Sequence, residues 1–118
     1  MSVNTDQLKQ YTTQTWNESV LKSLSEYISI PAQSPMFDAN WAQNGHIHKA
    51  INLLVDWIKS QNVNGMKLEV VENTQDGRTP LIYMEIDGTN NTNETVLLYG
   101  HMGVLSYTIY AFVLLCCY

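Results

Sequence analysis

The stretch Thr95-Val96-Leu97-Leu98-Tyr99-Gly100-His101-Met102 constrains this chain more than any other. Val96 to Tyr99 is a continuous apolar run, with no polar residue alternating through it. That pattern predicts a strand buried on both faces, as in a sheet covered by helices. Gly100 allows a tight turn or a close backbone approach. His101 then falls at the carboxyl end of the strand, where open α/β sheets place their ligands.

The chain before this strand reads as two helices and two strands. Met1 to Asp6 reads as a frayed start. From Gln7 to Ile28, Trp16, Val20, Leu24 and Tyr27 recur at helical spacing, and Leu21 and Ile28 widen the stripe. Pro31 ends that helix, because a residue before proline avoids the helical region. Ile30 to Pro35 follows as an extended connector. Asp38 or Asn40 can cap a second helix. Its stripe of Ile47, Ala50, Ile51, Leu54, Val55 and Ile58 is the clearest periodic signal in the chain, with Trp57 at its flank. Gly45 marks a bend or late start, and Gly65 is a natural stop. The period then changes from helical to alternating. Met66, Leu68 and Val70 face one way, and Lys67 and Glu69 the other, giving a half-exposed strand. Asn73 to Thr79 is a turn centred on Asp76-Gly77. Pro80 to Ile86 is a second strand, Asp87 to Glu94 a polar loop, and Thr95 to Tyr99 a third strand. No internal repeat is present. Two helices followed by about three strands open an α/β domain without closing it.

Several of these stretches match one family in order. VLLYGHM resembles the first metal-ligand motif of the dinuclear zinc hydrolases that include aminoacylase, succinyl-diaminopimelate desuccinylase and the carnosine-type dipeptidases, family twenty of the metallopeptidases. Ile30-Pro31-Ala32-Gln33-Ser34-Pro35 is similar to a segment that follows the family's first helix, although a proline-punctuated loop explains it equally well. Trp41, Gly45 and His46 resemble a Trp-x-x-x-Gly-His stretch of dipeptidase-like members. Gly77-Arg78-Thr79-Pro80 resembles a tetrapeptide of the same relatives. The resemblance runs from about Val20 to Met102 and is nearest the cytosolic dipeptidase-like branch.

The resemblance implies a truncated start of a zinc-exopeptidase-like catalytic domain over residues 1–102. It implies His101 as a zinc ligand. In the family an aspartate two residues on holds that histidine in place, and here that position is Gly103. A metal-bound histidine hands its other ring proton to such a carboxylate or to a carbonyl. The family's bridging aspartate, Glu-Glu pair, further acidic ligand and distant histidine have no counterpart in this chain. In the family two zincs activate a water, and a glutamate moves its proton to the leaving amine. No catalytic residue is assigned here. The resemblance thus implies a fragment of a di- or carboxypeptidase-like hydrolase of small peptides or N-acyl amino acids, inactive alone. Zinc is the cofactor of the full-length enzyme and is not expected on this chain.

The segment 103–118, GVLSYTIYAFVLLCCY, is apolar, uncharged and unlike the family. A spanning helix needs about 18 to 20 apolar residues and commonly a basic flank, and this tail has neither. A pair of core strands lacks turn residues here. A read-through or frameshifted end fits better. Asp codons begin with G, an intron beginning GT would complete a glycine codon, and T-rich codons supply the Phe, Leu, Val, Tyr, Ser, Ile and Cys of the tail.

Composition narrows the remaining classes. A length of 118 residues bounds the chain to one modest core, and a net charge of −5 gives no footprint for nucleic acid. Cys116 and Cys117 are adjacent and offer no disulfide framework. The first thirty residues lack a basic start and apolar core, so a reduced, cytoplasmic setting is expected. Sequons at Asn17, Asn90 and Asn93 are then chance features of an Asn-rich chain. His46 and His48 fall about 200° apart on a helix, which disfavours a shared metal. Trp16, Trp41 and Trp57 read as core and interface residues. Two other classes stay open: an interaction module that pairs with a full-length subunit through its unfinished sheet edge, and a tail-anchored peripheral protein.

Overall fold

The computed structural model describes residues 4–72, 77–88 and 94–102, together with the backbone of 111–117. Over these residues the chain is a mixed helix-and-strand fold.

The first helix starts earlier than the sequence predicts. Asn4 Oδ1 accepts from the backbone N–H of Asp6 and Gln7, both at 3.1 Å, and so caps α1 (Thr5–Thr15). A single π turn, Trp16–Val20, joins α1 directly to α2 (Leu21–Ile28). The extra residue of a π turn breaks the 3.6-residue phase. The expected stripe holds only in part: Tyr27 is buried and Val20 half-buried, whereas Trp16, Leu21, Leu24 and Ile28 are exposed. Beyond Ile28, Ile30, Ala32 and Ser34 are buried in alternation with exposed Pro31 and Gln33. This is the extended connector that the prolines predict.

Neither Asp38 nor Asn40 caps the long second helix. The Asp38 carboxylate accepts from the Asn40 N–H and from Asn44 Nδ2, at 3.0 and 2.8 Å, and so organises the short α3 (Trp41–Asn44). Gly45, at φ +69°, turns the chain into α4 (His46–Ser60). The stop of α4 falls before Gly65: Gln61 is its C-cap and Asn62 takes the left-handed position at φ 51°. Gly65, also left-handed, leads into the next strand.

The sheet has four strands in the order β1-β2-β4-β3. The two expected strands, β1 (Met66–Val71) and β2 (Leu81–Ile86), pair antiparallel, with Met66 opposite Ile86. β1 alternates as predicted, with Met66, Leu68 and Val70 half-buried and Lys67 and Glu69 exposed. β4 (Ala111–Cys117) runs parallel to β2 and antiparallel to β3 (Thr95–His101). The sequence predicts no strand in the tail, yet 111–117 fills the place between β2 and β3. Gly103 and the turn residues Asn73 to Asp76 lie outside the described residues.

The α4 stripe packs on one face of β1 and β2. Ile47, Ala50, Ile51 and Val55 form one core with Ile82, Met84, Tyr27, Ile30 and Ala32, edged by Met66, Leu68 and Val70. This placement corrects the expectation for the third strand. β3 is the edge strand farthest from the helix-covered hairpin, and Val96, Leu97, Leu98 and Tyr99 are 46 to 61 % exposed. An unbroken apolar run specifies a strand, but not which layer of the fold covers it.

Candidate functional site

His101 ends β3 and lies opposite Ala111 of β4. The hydrogen-bonded register carries this end of the sheet across all four strands. Ala111 precedes Phe112, which pairs with Ile82, and Leu81 pairs with Val71. His101 therefore shares one end of the sheet with the close of β1 and the start of β2. Gly77, Arg78, Thr79 and Pro80 lead into β2 at that end, with Pro80 fully buried as an anchor. The start of α4 is held there too, because His48 Nε2 lies 3.4 Å from the carboxylate of Glu72, the residue after β1. The Trp41 ring stacks on His48, with centroids 6.3 Å apart and planes 8° apart. The stretches Trp41–His46, Gly77–Pro80 and Gly100-His101, far apart in sequence, thus converge on one end of the sheet.

The immediate surroundings of His101 are aromatic. The Tyr99 ring meets its imidazole edge-on, with centroids 5.1 Å apart and planes at 79°. His101 is exposed. Gly100 continues the strand opposite Phe112 and makes no turn. Just beyond, the Tyr27 hydroxyl donates to the Met102 carbonyl and so ties α2 to the end of β3. Burial raises the Tyr27 phenol above its ordinary value and keeps it neutral.

Among the described residues these surroundings assemble no zinc site. A zinc centre takes three or four His, Cys, Asp or Glu donors converging on one point. Among the described residues no group of three such side chains is close enough to hold a metal. His46 and His48 do not converge either: His48 turns to Glu72, and each occupies its own side of the first turn of α4. Glu69 and Glu72 are exposed, Glu85 is half-buried and Asp87 is exposed. Glu85 and Asp87 pair instead with Lys67, at 3.7 and 3.5 Å. Asp87, then Glu85, holds the Lys67 ammonium above its ordinary value.

An open groove of about 470 Å³ runs between α2 and α4, lined among others by Glu26, Lys49, Asp56 and Trp57. It contains none of the motif residues. Trp57 is fixed there by donating its indole N–H to Ser19 Oγ at 2.9 Å. The sequence reading misses that bond, and the signal for it is a serine in the first helix facing a tryptophan at the flank of the second. Among the described residues no helix is long and apolar enough to cross a membrane.

No protein-family model matches the chain, and a search of curated proteins finds no match.

Proposed function

We propose that this chain corresponds to the N-terminal part of the catalytic domain of a zinc-dependent, di- or carboxypeptidase-like hydrolase, and that it does not cleave amides by itself. The observation that carries the reading is the convergence of three of its four family-like stretches on one end of the sheet, with His101 closing a strand there. The same reading gives the parent enzyme a small peptide or N-acyl amino acid as substrate. It places the protein in the cytoplasm.

The nucleotide sequence across codons 100 to 110 tests this proposal. The expected result is a splice donor after the first base of codon 103, with downstream sequence that completes an aspartate codon and encodes the remaining acidic ligands. Genomic DNA with no donor and no such sequence downstream would overturn the reading. The catalytic half is tested separately with purified chain, zinc and a panel of dipeptides. No turnover is expected; turnover that His101→Ala abolishes would refute the inactivity assigned here.

A second reading, an interaction module, is favoured by the apolar exposure of β3.

A further inference from the structure

The two edges of the sheet are built differently. β1, at one edge, presents Lys67 and Glu69 to solvent, and Lys67 is engaged by Glu85 and Asp87. Charges of this kind, lysine above all, prevent an edge strand from pairing with another chain. β3, at the other edge, has no charged residue from Thr95 to Gly100 and no proline. Its Val96, Leu97, Leu98 and Tyr99 are exposed, and no strand among the described residues lies on its outer side.

We propose that β3 pairs antiparallel with β3 of a second copy of this chain, joining two four-stranded sheets into one of eight strands. The inference does not depend on the hydrolase reading. A twofold axis normal to a sheet brings each residue opposite its symmetry mate on the same face. β3 has seven residues, so complete overlap puts the axis at its midpoint, Leu98. Leu98 then faces Leu98, Leu97 faces Tyr99, and Val96 faces Gly100. Directly opposed aromatic and aliphatic pairs stabilise antiparallel strands, and like charges directly opposed destabilise them. This strand offers the first and, away from its ends, lacks the second. A partner of a different sequence would have to supply a matching uncharged strand, whereas a second copy brings one by symmetry.

Sedimentation equilibrium of the full chain reads the proposal directly. The expected mass is twice the 13.4 kDa of one chain, and a monomer across the micromolar range overturns it. Leu98→Lys sets two ammonium groups across the axis and is expected to halve the mass. Glu69→Lys, on the charged edge, is expected to leave the dimer intact, and loss of the dimer there places the interface elsewhere. A register test does not depend on the lysine variant folding. In a chain with Cys116→Ser and Cys117→Ser, Leu98→Cys faces its own copy within disulfide reach. Oxidation is expected to give a covalent dimer from Leu98→Cys and not from Val96→Cys. The opposite result overturns the register, and failure of both overturns the pairing.

Discussion

Tyr27 ties the first helices to the end of β3 through one side chain. Its ring is in the core and its hydroxyl donates to the Met102 carbonyl, 75 residues away. Tyr27→Phe keeps the ring and removes the donor. Net hydrogen-bond contributions of about 0.5–1.5 kcal/mol set the expected loss, read from urea unfolding followed by Trp57 fluorescence. The same phenol gives a pH dependence. Its folded value is raised by burial above the unfolded value of about 10. The unfolded chain therefore loses its proton first as pH rises. The contribution of Tyr27 to stability is complete below about pH 10 and is lost as pH climbs through the folded value. Tyr27→Phe should flatten this alkaline loss, and an unchanged slope would remove Tyr27 as its source. The serial position of Tyr27 on a helical stripe is legible in the sequence. Its hydroxyl's partner is not, because no local pattern encodes a contact across 75 residues.

At the scale of elements, the legible parts are those with a clean period. The stripe from Ile47 to Ile58 is the core face of α4, and the alternation from Met66 to Val70 is β1. Both signals are local, and burial follows from them once one neighbour is present. The first helix departs from its reading because Leu21, Leu24 and Ile28 share α2 with Tyr27 but only Tyr27 meets the core, which helical spacing alone does not decide. β3 departs because hydrophobicity reports a tendency to be covered, while coverage depends on which strands arrive beside it. His101 stands at the end of a strand as read, but Gly100 stays in the strand, and among the described residues no three metal-binding side chains gather. One junction permits a clean test. Gly45 sits at φ +69°, and a β-carbon placed there would have nothing within 4 Å, so a methyl side chain meets no steric contact and only the backbone cost remains. Gly45→Ala is expected to cost about 1 kcal/mol, in line with the left-handed penalty for L-residues. Differential scanning calorimetry checks it, and an unchanged midpoint would show that the α3–α4 corner relaxes.

For the whole molecule, the order β1-β2-β4-β3 has a consequence for how the chain is made. Synthesis runs from the N-terminus, and segments that emerge first can fold first. The helices and the β1–β2 hairpin can assemble as soon as Ile86 is available. β3 follows in the chain, but its only hydrogen-bonded neighbour among the described strands is β4, which comes after it. β3 is therefore an uncharged, apolar strand that stays unpaired until β4 folds beside it. A stop codon after Met102 should leave the hairpin's amides protected from hydrogen exchange and those of Val96 to Tyr99 unprotected. Retained protection in both would mean that β3 docks without β4. Until β4 folds, another strand can compete for β3, so the order of folding, as much as the finished sheet, decides which strand it meets first.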